Sequence, residues 1–209
     1  MGCDIHFFVE TKQNDGTWKS ADTWVSDDWD PGRMKIPYDE HFYQDRNYNL
    51  FAILANVRNY SDFNPISEPR GLPEDASPDV KAQSDVWDMD GHSHSYLTVT
   101  ELKAYDWDQQ TQHQGIVNLE EFKVYLQKGK PNSWGDGVFG PNVVIVEREE
   151  GVSFISDPSK IPKDKEVYIN VDWTESYRDS AGEFLTKTLP KLEVLGDPEN
   201  VRIVFWFDN

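Results

Sequence analysis

The sequence predicts an α+β fold, a mixed α/β sandwich on one mainly antiparallel sheet that includes the N- and C-terminal strands, packed by several helices and long loops. Three observations carry this. Residues 3–10, CDIHFFVE, alternate, with Cys3, Ile5, Phe7 and Val9 on one face and Asp4, His6, Phe8 and Glu10 on the other. Residues 200–209, NVRIVFWFDN, hold an unbroken β-branched and aromatic run. Between these ends lie segments with helical periodicity and recognisable caps.

In chain order, NDG at 14–16 supplies turn chemistry after the first strand, and TWKSADTWV returns as its hairpin partner. Residues 24–46 are polar, aromatic and broken by Pro31 and Pro37, which predicts an ordered loop excursion. In RNYNLFAILANVR, Leu50, Phe51, Leu54 and Val57 fall at helical spacing, giving a short amphipathic helix with Arg46 and Arg58 at its ends. Residues 59–80 carry four prolines and read as a long loop, either a lid or a surface wrap. Ser77 before Pro78 opens a helix over PDVKAQSDVW. Thr98 and Glu101 have capping-box spacing, so the segment DMDGHSHSYL leads into another helix. NLEEFKVYLQKG is a helix capped by Asn118 and ended by Gly129. Residues 130–142 form a glycine-rich turn system lacking the Lys and Ser or Thr of a phosphate loop. NVVIVERE and EVYINVDW are strands, and residues 176–196 are mostly helical with an interruption at Pro190. With no linker, repeat or low-complexity tract, the expectation is a single domain over residues 1–209.

Charge narrows the function. The 209 residues hold 38 Asp and Glu against 20 Lys and Arg, a formal net charge of −18. Such a surface repels nucleic-acid backbones and anionic membranes, so direct nucleic-acid binding is not expected. An acidic DNA mimic would use the same excess to occupy a DNA-binding protein, whereas the plainer role of acidity is solubility. A single cysteine precludes an intrachain disulfide, and no signal-peptide pattern or membrane-length apolar run is evident, which predicts a cytoplasmic location. Self-association is compatible with the sequence but nothing in it specifies a homo-oligomer.

The candidate site comes from histidine clustering. Asp4 and His6 share a strand face about 7 Å apart, and His92 and His94 bear the same relation if HSH is extended. A D-x-H pair meeting an H-x-H pair would supply four ligands for a divalent metal such as zinc or manganese, and three plus water would make a hydrolytic centre. The alternative is a packed His6 with His92 and His94 exposed on a turn. Aligning Gly91 with the glycine of a calcium loop puts Val86 and Leu97 at ligand positions, which rules that motif out. Strand parity turns Cys3 away from His6, so a thiol nucleophile is not supported. Arg46, Arg58, Arg70 and Arg178 lie near aromatics or turns, where a guanidinium fork could grip phosphate; a salt bridge to a carboxylate is the competing role. With His92, His94, Trp87 and Tyr96 they compose a candidate ligand set.

Taken in order, MGCDIH, RNYNLFAILANVR, RGLPED, DGHSHSYLT, DSAGEFLTKTLPKL and VRIVFWFDN resemble a family of uncharacterised proteins encoded largely by bacteriophages and related bacterial elements. The resemblance spans nearly the whole chain and carries over no catalytic residue. What it implies is an accessory phage protein in the cytoplasm of an infected bacterium, for which blocking host immunity is a common occupation. Three functions are then expected candidates. The first is sequestration of a small phosphorylated, cyclic nucleotide immune signal in an aromatic, Arg and His pocket. The second is a metal-dependent phosphodiesterase using Asp4, His6, His92 and His94. The third is an acidic decoy for a host DNA-binding protein.

Overall fold

A computed structural model describes residues 2–209. Along the chain lie β1 (Ile5–Lys12), β2 (Trp18–Ser20), β3 (Val25–Ser26), β4 (Met34–Lys35), α1 (Tyr48–Ala55), α2 (Pro78–Trp87), β5 (His92–Thr98) and α3 (Val99–Ala104). They are followed by β6 (Gln110–Asn118), α4 (Leu119–Lys128), β7 (Val143–Val146), α5 (Arg148–Ser156), β8 (Glu166–Ser176), α6 (Tyr177–Ser180), α7 (Leu189–Glu193) and β9 (Val201–Phe207). The chain is α+β, with a mainly antiparallel sheet holding both β1 and β9. Its contacts group into two compact units: Met1–Gln109 with Tyr177–Asn209, and Gln110–Ser176.

The first unit is built on a four-stranded sheet in the order β2-β1-β9-β5. Strand β9 is central because its run of apolar residues suits a strand covered on both faces, and all seven of its residues are buried. It pairs antiparallel with β1 from Ile5↔Phe207 to Thr11↔Val201. The expected alternation of β1 holds. Cys3, Ile5, Phe7 and Val9 join α1, α3 and Phe205 in one core, while Phe8 joins Val80, Val204 and Trp206 in another. The β1–β2 turn closes through Gly16 at φ +85, where a side chain would be strained.

Helix α1 departs from the amphipathic expectation. Every residue from Leu50 to Ala55 is buried, so it is a core helix apolar all round. Asn47 caps its start by accepting from the Leu50 N–H, and Asn56 ends it in the left-handed region. Ser77 caps α2 with Pro78 in its first turn, and the Thr98–Glu101 capping box opens α3. The long loop is a wrap. Ile66 N–H donates to Ile53, Arg70 N–H to Ser95 Oγ and Gly71 N–H to His94, which lays the loop along the open edge of β5. The chain around Pro190 is less continuous than one helix: α6 is a single turn, Phe184–Thr188 is a π turn, and the proline sits in the first turn of α7.

The second unit is a three-stranded sheet, order β6-β8-β7, with β6 and β8 antiparallel and β7 and β8 parallel. Helices α4 and α5 cover one face through Phe122, Tyr125 and Phe154 against Val117, Ile169, Val171 and Trp173. Asn118 and Gly129 cap α4 as expected. The expected strand at NVVIVERE is shorter, because Arg148 already begins α5.

Candidate functional site

Four of the five histidines belong to the first unit, and strand pairing decides which of them meet. His6 on β1 lies opposite Trp206 on β9, and His94 on β5 stacks on the same indole, the ring centroids 5.7 and 5.1 Å from that of Trp206. Trp87, at the end of α2, lies 4.0 Å from the His6 ring. The result is a row across three strands: His6, Trp206, His94.

His92 is not part of that row. The β5–β9 register passes from His92↔Phe207 to Ser95↔Phe205, one extra residue on β5, and Ser93 takes a φ of 54. This bulge resets the alternation. His92 lies against Phe207 on the α1 side of the sheet, while His94 lies against Trp206 on the α2 side. The expectation that HSH presents both rings on one face is therefore revised. Asp4, the fourth expected ligand, is gripped by both forks of Arg46, through Nε at 2.7 Å and Nη2. His6 and His94 stand two strand spacings apart, about 10 Å, with Trp206 between them. Among the described residues, no group of three or more His, Cys, Asp or Glu is placed to hold a metal ion.

What the sequence did not announce is Asp208. Its Oδ1 accepts from the Asp4 N–H at 3.0 Å and its Oδ2 lies 3.2 Å from His6 Nε2. Burial lowers the His6 pKa, and the bond to Asp208 opposes the drop without overcoming it. The ring is thus neutral at neutral pH. Because a carboxylate only accepts, Nε2 carries the proton and Nδ1 the lone pair. Burial also lowers the pKa of His94, whose Nε2 meets Ser84 Oγ, and of His41. The Arg46 hydrogen bond holds the Asp4 carboxyl below its usual range. Cys3 is buried on the opposite face, and desolvation raises its pKa, which removes thiolate character.

Three of the four candidate arginines pair with protein carboxylates. Arg46 binds Asp4, Arg70 binds Glu101 at 2.7 Å and the Tyr96 carbonyl at 3.2 Å, and Arg178 binds Asp108 at 2.9 Å. Arg58 reaches the Tyr60 hydroxyl and Asn209 Oδ1. Tyr96 lies under the guanidinium of Arg70 at 5.5 Å.

The second unit carries a groove that the sequence reading passed over. In β6, Gln112, Gln114 and Ile116 point away from the helices, as do Asn170 and Asp172 of β8, since Val117 and Ile169 on the alternate face are core. With Asp136, Glu147, Arg148 and Glu149 they line an open cavity of about 850 Å³. Asn170 donates its amide N–H to Glu147 at 2.8 Å, which leaves its carbonyl oxygen for another donor. Among the described residues the Gln114 amide has no intramolecular partner. The walls hold four carboxylates against one guanidinium. Arg148 also lies 5.3 Å over the Tyr125 ring.

The chain matches no family model, no curated protein and no solved structure. Among the described residues no helix is long and apolar enough to cross a membrane.

Proposed function

We propose that the protein is a binding protein with no chemistry of its own, which holds a small nucleoside-like ligand in the groove on the open face of β6 and β8. The observation that carries this is the amide wall of Gln112, Gln114 and Asn170 in a cavity of small-molecule size. Primary amides offer a donor beside an acceptor, the pattern displayed by the edge of a nucleobase. The histidine end of the first unit supplies neutral, internally stacked rings and arginines engaged elsewhere, so it offers a weaker anion cradle.

Electrostatics reorder the ligand classes. Four carboxylates around one Arg148 favour an uncharged nucleoside-like ring system over a cyclic nucleotide, whose phosphates would have to meet Arg148 alone. The resemblance to phage-encoded proteins makes an immune signal the first nucleotide to try, with sequestration as its outcome.

Equilibrium dialysis against uncharged nucleosides, cyclic dinucleotides and cyclic ADP-ribose isomers tests this, with mass spectrometry of the material released by heat. The expected result is one intact ligand, retained by the protein and lost at least tenfold in Gln114→Ala and Asn170→Ala. Recovery of cleaved product would establish a hydrolase instead. Retention unaffected by either substitution would move the site out of the groove.

A further inference from the structure

The excursion between β2 and α1 contains a short hairpin whose tip spends its hydrogen bonds on itself. Strands β3 and β4 pair through Val25↔Lys35 and Ser26↔Met34. Asp27 Oδ1 accepts from the N–H groups of Trp29 and Asp30 at 2.7 and 3.1 Å, and Asp30 Oδ1 accepts from Gly32 N–H at 3.1 Å. Asp27 N–H donates to the Arg33 carbonyl, Arg33 N–H donates to the Asp30 carbonyl, and Lys35 pairs with Asp28 at 2.7 Å. The base is fixed too, since Gln83 of α2 donates to the Met34 carbonyl at 2.6 Å.

This ordered turn holds Trp29 at 93% exposure, with Met34 at 44% and Tyr38 at 81% further along. An indole in water forgoes one of the largest burial gains open to a side chain. Tryptophans are enriched among the anchors that fill a partner's pocket. Asp27, Asp28 and Asp30 flank it against Arg33 and Lys35, the lysine lying 3.8 Å from Asp27 and 2.7 Å from Asp28.

We propose that the β3–β4 hairpin is a docking prong whose Trp29 inserts into an apolar pocket of another protein, rimmed by Lys and Arg. Charge selects this occupant. Phosphate backbones and anionic bilayers are repelled by the net charge of −18, and a second copy of the chain brings the same charge. The prong is independent of the groove in the second unit, so either can fail alone.

The test compares wild type with Trp29→Ala and with Asp27, Asp28 and Asp30 all changed to Asn, which keeps the side-chain acceptors of the turn. Unchanged melting temperatures establish folding. Proteins captured from a bacterial extract by wild type are identified, purified and rebound by calorimetry. A partner with a basic-rimmed pocket should bind Trp29→Ala at least 30-fold more weakly, and the triple variant should flatten the salt dependence of binding. Equal affinity for wild type and Trp29→Ala overturns the proposal. So does Trp29-dependent binding to phosphatidylglycerol vesicles, to oligo-dT, or to a second copy in sedimentation.

Discussion

Asp208 joins His6 across 202 residues of sequence, and with its other oxygen it takes the backbone N–H of Asp4. One carboxylate thus stitches the start of β1 to the end of β9 and fixes the tautomer of a neutral imidazole. Asp208→Asn should lower the His6 pKa further, because only Asp208 and Asp4 raise it against burial. A histidine-resolved NMR titration reads this directly; an unchanged or raised pKa would contradict the support that Asp208 gives the protonated ring.

Acid should unfold the first unit through its histidines. His6, His41 and His94 all have folded pKa values lowered by burial, so the folded state binds fewer protons than the unfolded state. Their contribution is present above the unfolded value of about 6.5 and is lost as pH falls through the folded values. Denaturation midpoints should therefore drop below about pH 6, and replacing His6 and His94 by Gln should reduce that slope.

Asp22 acts in the opposite sense. Burial pushes its pKa up to about 6, while the Val9 N–H and Ser20 hydroxyl that it accepts limit the rise. A carboxyl raised in this way favours folding below its unfolded pKa and withdraws that support as pH rises through about 6. At pH 8 the ionised form costs on the order of 3 kcal/mol by linkage. Asp22→Asn, which can still accept from Val9, should raise the urea midpoint at pH 8 and lose the advantage near pH 4.

Glu10 and Arg202 form a buried ion pair at 2.7 Å, extended to Asp75, with the guanidinium 3.9 Å over the Trp18 ring. Glu10 also accepts from the Ser77 N–H that opens α2. Arg202→Met leaves a buried carboxylate without its cation and should cost about 3–5 kcal/mol. The double variant Glu10→Gln with Arg202→Met should recover part of that loss in the same denaturation assay.

Much of this was legible in the sequence where the local code is strong. The two faces of β1, the caps of α2, α3 and α4, and the all-buried β9 follow from alternation, cap residues and an apolar run. The HSH reading failed because a bulge at a non-glycine residue, Ser93, leaves no mark in composition or period. Strand β6 and its groove were missed for a related reason. TQHQGIVN alternates, but its inward residues Thr111, His113 and Gly115 are small or polar, so the core face lacks the hydrophobic signal that names a strand. Asp208 became visible only with the β1–β9 register, a long-range pairing that no window of sequence contains.

Two glycines of the second unit sit where the packing leaves no room for a side chain. A Cβ at Gly151 would meet Phe122 and Ile169, both fully buried, at 2.8 and 2.9 Å. Overpacking of about 1–3 kcal/mol should outweigh the gain of about 1 kcal/mol from alanine in a helix, so Gly151→Ala lowers the melting temperature. A Cβ at Gly115 would meet Trp134 at Cδ1, Cβ and Cγ, 2.7, 3.0 and 3.0 Å away, and rotating the indole cannot move the Trp134 Cβ. Gly115→Ala should therefore lower the melting temperature as well.

The central place of β9 also sets a timetable. During translation β1 and β2 emerge first and can form their hairpin, yet β1 and β5 each wait for the strand that lies between them. The second unit is one continuous segment, so its sheet can close on the ribosome while the larger sheet is still incomplete. Until β9 appears, the nascent chain carries Phe7, Val9 and Leu97 on unmatched edges, and the vulnerable interval in the life of this protein is the one before its closing strand is made.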